Sequence, residues 1–285
     1  MFSRAHDRHF LPDLTSVPLE GLVGLAGRTA VVTGGAAGIG YAICRRLREA
    51  GANVVVADKD VAEAERAADQ LGSAAVAAHV DVRDGVSIRA LATGAHHRFG
   101  RLDVWVNNAG AYPRQALLDI TDADWDAVHD INLRSVFIGS REAARHMIAS
   151  GRGGAIINLT STAAYNTASG GNSAHYVSSK HAVAGLTKSL AVELGAHGIR
   201  ALAVAPTLTW TPGVEADQAD QADQADQADQ ADGLAAGLDR YADRLPAGRI
   251  AHPDDVARAV LFAASGLAGF VSGSTIAVDG GDLAL

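Results

Sequence analysis

Seven short apolar runs, each closed by turn residues, recur along the chain at 29–32, 53–57, 74–80, 102–106, 155–159, 199–205 and 275–278. Between them lie segments whose apolar residues repeat at helical spacing, at 42–50, 62–71, 86–99, 125–149, around 176–194 and at 253–265. A run that is apolar at every position can be buried on both faces, whereas an alternating run leaves one face for water. Buried strands separated by helices suit a parallel sheet, because each parallel connection has to cross over and a helix is the usual crossover. The pattern therefore predicts one α/β domain with helices on both faces of the sheet. Ligands of such sheets bind beyond the C-terminal strand ends, so the residues that follow each apolar run are the candidate site.

Composition agrees with a single large domain, at 285 residues of which 48% are hydrophobic. No stretch approaches the roughly 18 apolar residues of a membrane span. Arg4, His6, Asp7 and Arg8 precede no apolar run of the kind a secretory signal carries. One cysteine, Cys44, leaves no disulfide framework and, between Ile43 and Leu47, reads as a buried helical position, so a reducing cytoplasmic setting is expected. The net charge of −8 comes without a basic cluster, which argues against nucleic acid as a partner. Asp217, Asp220, Asp223, Asp226, Asp229 and Asp232 supply six of those charges within an ADQ repeat at 216–232. A period of three matches neither helix nor strand and builds no apolar face, so the repeat reads as a solvated insert. Residues 1–26, polar and carrying prolines, read as a flexible arm before a domain at 27–285.

Between the first strand and the first helix stands Thr33-Gly34-Gly35-Ala36-Ala37-Gly38-Ile39-Gly40. Glycines at 34, 38 and 40 permit a tight turn and close backbone approach, and the helix that follows offers free N–H groups to a pyrophosphate. Asp58 closes the second strand, where a carboxylate accepts hydrogen bonds from both ribose hydroxyls of an adenosine and repels a 2′-phosphate. NAD is thereby favoured over NADP, with neighbouring Lys59 able to soften the repulsion. Tyr176 and Lys180 lie four apart in a helical stretch and so share a face. A free phenol, with a pKa of about 10, is a poor base near neutrality, and a cation beside it favours the phenolate. His129, His146, His175 and His181 lack metal-ligand spacing with one another, and no metal is expected.

Taken in order, these residues resemble the short-chain dehydrogenases/reductases over residues 27–281. The resemblance rests on TGxxxGxG at 33–40, Asp81-Val82, Asn107-Asn108-Ala109-Gly110, Asn132, Ser161, the Tyr176/Lys180 pair and Val278-Asp279-Gly280-Gly281. It implies a Rossmann-like doubly wound parallel sheet of about seven strands, in the order 3-2-1-4-5-6-7. It also implies an oxidoreductase that moves a hydride between NAD(H) and a small secondary alcohol or its ketone. By the same resemblance Tyr176 would be the acid–base residue, and Lys180 would lower its pKa and bind the nicotinamide ribose. Ser161 would polarise the reacting oxygen, and Asn132 would hold a water linking Lys180 to solvent. Cofactor contacts would come from Gly34, Ala37, Gly38, Ile39 and Gly40 in the turn, Asp58 and Lys59 at the ribose, and Asp81 and Val82 at the adenine. Asn108, Ala109 and Gly110 would line the cofactor, with Pro206, Thr207, Thr209 and Thr211 joining Tyr176 and Lys180 at the nicotinamide end. A homotetramer, or a homodimer, would assemble through the long helices after the fourth and fifth strands.

The chain departs from the family pattern in three places. Pro206-Thr207 stands where Pro-Gly is usual, the Ser161–Tyr176 interval of 15 is about two residues longer than in many relatives, and the ADQ repeat falls in the segment that usually covers substrate. Small Ser169, Gly170 and Gly171 beside Asn172 and His175 suggest a roomy, partly polar pocket. Two other functions use the same fold, a dinucleotide-binding regulator without turnover and an isomerase or dehydratase. The intact Ser161, Tyr176 and Lys180 argue against the first, and the lack of a substantial C-terminal substrate domain argues against the second.

Overall fold

The computed structural model of the protein describes residues 11–167, 171–211 and 230–285, the side chains of 230–236 excepted. After a short helix α1 (Leu19–Val23) come β1 (Thr29–Thr33), α2 (Gly38–Glu49), β2 (Asn53–Asp58), α3 (Val61–Leu71), β3 (Ala75–His79) and α4 (Gly85–Phe99). They are followed by β4 (Val104–Asn107), α5 (Asp122–His129), α6 (Ser135–Ser150), β5 (Gly154–Leu159), α7 (Ala174–Leu194) and β6 (Ile199–Pro206). The last elements are α8 (Gln230–Arg244), α9 (Pro253–Ala264) and β7 (Thr275–Val278). Every strand pairing is parallel, and the sheet runs β3-β2-β1-β4-β5-β6-β7, the order the family resemblance implies.

Successive residues of one strand enter opposite core layers, which is why the strands are apolar throughout. Val32, Val54, Val56 and Val204 pack on one face against Ile43 and Leu47 of α2 and Val256 and Val260 of α9, with Cys44 buried among them. Val31, Val55, Trp105 and Ile156 pack on the other face against Ile88 and Leu91 of α4 and Ala143 and Met147 of α6. The N-terminal segment expected as an arm carries structure in its described part. Leu25 is fully buried, its N–H donates to Ala50 O at 2.7 Å, and the backbone of Leu22 lies against Gly266. Most of the ADQ repeat, 216–229, lies outside the described residues, and its last three residues open α8. The long helix expected over 125–149 is two helices joined by a π-helical turn, Asp130–Arg134, with Asn132 fully buried inside it. Such a turn takes up one extra residue without disturbing the apolar pattern on either side, so periodicity does not reveal it. Among the described residues no helix is long and apolar enough to cross a membrane.

A buried polar chain fixes the helices that flank the site. Trp105 Nε1 donates to Asn107 Oδ1 at 2.7 Å, and Asn107 Nδ2 donates to Asn158 Oδ1 at 2.8 Å and to Ser140 Oγ at 3.1 Å. Asn158 Nδ2 in turn donates to Thr187 Oγ1 at 2.9 Å, so strands β4 and β5 are tied to α6 and α7 in one network. Buried amides of this kind are stabilising only while every end is satisfied. Gly139 lets α6 approach that network, since a Cβ there would stand 2.5 Å from Asn107 Oδ1 and 2.8 Å from Trp105 Nε1. Gly139→Ala is expected to destabilise the fold by about 1–3 kcal/mol through that overlap. The measurement is urea unfolding, with a lowered midpoint at unchanged slope.

Candidate active site

The crevice opens between β1 and β4, where the strand order reverses direction. Thr33 Oγ1 accepts from Asn108 N and from Ala109 N, both at 3.1 Å, and Asn108 Nδ2 donates to Thr33 O at 2.9 Å and Gly34 O at 3.0 Å. Gly34 (φ 63°) and Gly38 (φ 54°) take left-handed conformations that side chains disfavour, and a Cβ at residue 40 would collide with the Gly34 carbonyl oxygen. Ala37 stands at the N-cap of helix α2 and supplies no capping side chain, so the N–H groups of the first turn remain open to an anion. Thr211 lies over this turn, 3.3 Å from where a Cβ of Gly38 would stand. Asp58 is held beside the turn by Ala36 N and by Asp60 N, each donating at 3.2 Å, while Lys59 is exposed. A backbone cradle at an uncapped helix N-terminus, with a carboxylate at the end of the neighbouring strand, fits the diphosphate and ribose of an adenine dinucleotide. Asp81 has a partner that the motif did not foretell. Arg83 binds its carboxylate at 2.7 Å and holds the acid down to about 2.

Helix α7 carries Tyr176 and Lys180 one turn apart, with Ser161 facing them from the end of β5. Lys180 is 5% exposed and its Nζ donates to Leu159 O at 3.0 Å, 5.7 Å from the centroid of the Tyr176 ring. Burial draws the ammonium down to about 8. Burial also pushes the Tyr176 phenol up to about 12, against a hydrogen bond with Ser161 that works the other way. Desolvation thus decides the direction, with the Ser161 hydrogen bond and not the neighbouring cation working against it, and the phenol holds its proton. Ser161 Oγ accepts from Ala163 N at 3.1 Å and lies 3.5 Å from Pro206 O.

Asn132 ties the π-helical turn to the loop after β4. Its Oδ1 accepts from Ala111 N at 2.8 Å, and its Nδ2 donates to Ala111 O at 2.8 Å and to Ser179 Oγ at 3.2 Å. The side-chain amide is therefore engaged by protein at both ends, and it fixes the loop after β4. Gly110 sits between Asn132 Oδ1 and Lys180 Nζ, which its missing Cβ would approach at 3.2 and 3.6 Å. Tyr112, which the sequence pattern did not single out, follows directly on that loop. Its ring meets the Tyr176 ring edge-on at 4.5 Å between centroids while 39% of the residue stays exposed, so it walls the open side of the site. An aromatic residue two places after the Asn-Ala-Gly motif was the only local signal. Asn172, in the left-handed region at φ 54°, accepts from Gln115 N at 2.7 Å and ties the segment before α7 to the same loop. Residues 168–170, part of the pocket inferred from small side chains, lie outside the described residues.

The histidines have structural partners. His175 is buried and its Nδ1 accepts from Tyr176 N at 2.9 Å. His129 and His181 each bond a backbone carbonyl one turn earlier at 2.9 Å. Among the described residues no three potential ligands gather as a metal site. Pro206 and Thr207 close β6, and Thr209 donates its hydroxyl to Thr207 O at 2.9 Å.

A family model described as enoyl-(acyl carrier protein) reductase matches residues 34–282. The chain is 42% identical over 267 residues to the cis-4-hydroxycyclohexanecarboxylate dehydrogenase of Sinomonas cyclohexanicum, covering 90% of this chain and 96% of that protein. Among solved structures, a short-chain type dehydrogenase/reductase from Mycobacterium marinum superposes with a TM-score of 0.81 at 31% identity, over 91% of this chain and 97% of that one. A putative NAD(P) dependent gluconate 5-dehydrogenase from Beutenbergia cavernae, with NADP bound at low occupancy, gives 0.81 at 36% identity, over 93% of this chain and all of that one.

The buried ammonium has a measurable consequence. An unfolded lysine keeps its proton to about 10.5, whereas folded Lys180 releases it near 8. Between those values the unfolded chain binds more protons, so stability rises with pH across that window. Tyr176, pushed the opposite way, lowers stability only above about 10. Urea unfolding from pH 8 to 10 should therefore show wild type gaining stability relative to Lys180→Met, and parallel profiles for the two would contradict the burial of the charge.

Proposed function

The chain belongs to the short-chain dehydrogenase/reductase family, and from that premise we propose that it transfers a hydride between NAD(H) and a secondary alcohol or the matching ketone. The observation that carries the reading is the meeting of Ser161, Lys180 and the half-buried Tyr176 beside the glycine cradle. A regulator without turnover has no use for that trio in register.

The nicotinamide, when bound, supplies or accepts the hydride, and the chain's own residues do the rest. The glycine turn and the open first turn of α2 bind the diphosphate, and Asp58 takes the adenosine ribose. Lys180 binds the nicotinamide ribose with the ammonium that Leu159 O holds in place. Tyr176 keeps its proton at neutral pH and donates it to the oxygen of a ketone being reduced. Ser161 donates to the same oxygen and stabilises the charge that develops there. In alcohol oxidation the phenol has to give up its proton first, which the neighbouring ammonium favours. Asn132 serves by clamping Ala111, which fixes Gly110 beside Lys180 and Tyr112 beside Tyr176. Assembly as a homotetramer or homodimer through α6 and α7 belongs to this reading, with half-exposed Phe137 and exposed Val192 on their outer faces.

Two substitutions test the assignment, on a panel of cyclic alcohols, polyols and sugar acids. Tyr176→Phe should lower kcat by about 10²–10⁴-fold while NADH binding, followed by fluorescence, stays within a few fold; near-normal turnover would sink the mechanism. Asp58→Ala should narrow the ratio of kcat/KM for NAD over NADP, because the repulsion of a 2′-phosphate is removed. An unchanged ratio would mean that Asp58 does not set cofactor choice.

A further inference from the structure

Thr207 stands where the family pattern has glycine, and its buried side chain is the hub of a partly buried hydroxyl–carboxylate cluster. Its Oγ1 donates to Asp282 Oδ2 at 2.9 Å and lies 2.7 Å from Tyr241 Oη, which is 3.3 Å from the same carboxylate oxygen. A threonine hydroxyl has one proton, and here the carboxylate receives it, so the Tyr241 phenol is the donor to Thr207. The chain of donors ends on an anion, which makes it stronger than a neutral pair. The backbone of Thr207 is tied as well, with N–H donating to Val278 O at 3.2 Å and the carbonyl accepting from Thr209 Oγ1 at 2.9 Å.

Three segments distant in sequence meet at this residue: the end of β6, the C-terminal part of α8 and the turn after β7. That turn is itself rigid, since Asp279 accepts from Gly281 N at 3.0 Å and from Leu283 N at 2.9 Å. Ala247 N, just after α8, donates to Gly280 O at 3.0 Å. One residue upstream, Pro206 O faces the Ser161 hydroxyl. A glycine at 207 would leave the strand end without a side-chain link to either neighbour.

We propose that Thr207, Tyr241 and Asp282 form a latch that holds the end of α8 to the sheet edge beside Ser161 and so positions the substrate side of the site. The proposal rests on the reading of Ser161 and Tyr176 as the reacting centre. The three are positioning residues, so release of α8, as in Tyr241→Phe, falls on substrate affinity and spares the chemical step.

Hydrogen exchange of the full-length, unliganded protein tests the latch without any substrate. Thr207→Val keeps the branched shape and drops the hydroxyl. It should speed amide exchange in 237–244 about tenfold, leave β6 and β7 unchanged, and be reversed by Thr207→Ser. Tyr241→Phe should reproduce it. Unchanged exchange at 237–244, or faster exchange spread over the whole sheet, would overturn the latch. With cis-4-hydroxycyclohexanecarboxylate and NAD as the assay pair, Tyr241→Phe should raise KM for the alcohol about tenfold, with kcat within about twofold. Faster exchange without a rise in KM would overturn the positioning role. Wild-type protein inert on the whole panel would instead refute the proposed function, while the exchange result would still decide the latch.

Discussion

The lock between Thr33 and Asn108 is the constraint on which the site depends. One hydroxyl accepts from two successive amides, and one side-chain amide donates to two successive carbonyls, so the ends of β1 and β4 are stitched together without a shared ladder beyond them. This is the place where the sheet order reverses and its crossovers diverge to opposite faces, leaving a crevice. The stitch brings the backbone of Ala109 to within 3.0 Å of where a Cβ of Gly34 would stand, and glycine is the residue that allows it. The cofactor turn and the loop carrying Gly110 and Tyr112 are therefore two sides of one joint. A change at Asn108 would move both.

Burial then sets the chemistry of what faces the joint. Removing water penalises the charged form of either group, so the phenol of Tyr176 rises and the ammonium of Lys180 falls. The outcome near neutrality is a protonated phenol beside an ammonium whose hold on its proton is weakened. Proximity alone predicts a lowered phenol; geometry plus desolvation predicts a phenol that keeps its proton at neutral pH. The single carbonyl on Lys180, Leu159 O, keeps the amine in register with the ring without neutralising it.

The parallel sheet and its covering helices were legible because they are written in local patterns, while the strand order came with the family resemblance. Fully apolar strands, helical periodicity and a four-residue Tyr–Lys spacing survive in a single sequence. What was not legible depends on contacts between distant segments. The amide of Asn132 reaches Ala111 across 21 residues, and Thr207 reaches Asp282 across 75. No run of neighbours encodes either pairing, and the motif that marked Asn132 as important did not say what its amide would hold. The π-helical turn that aims Asn132 escaped for a related reason, since one inserted residue leaves the apolar stripe of α5 and α6 intact on both sides. Thr207 was visible only as a departure from a pattern, and its use emerges once Tyr241 and Asp282 are folded onto it.

The two ends of the site are built from different materials. The cofactor end is mostly backbone: a glycine turn, an uncapped helix start and carbonyls held by Asn108, with the Asp58 carboxylate beside the turn. Such a surface tolerates wide variation in sequence, because N–H and C=O groups are the same in every residue. The substrate end is made of side chains from the segments after β4, β5 and β6, with Tyr112 against Tyr176, Asn172 against Gln115, and Thr207 linked to Tyr241. Each belongs to a connection that can change without disturbing the sheet. A fold divided in this way keeps its reaction while its substrate changes, so specificity in this chain has to be sought in those three connections and in how firmly each is tied to the strand end beneath it.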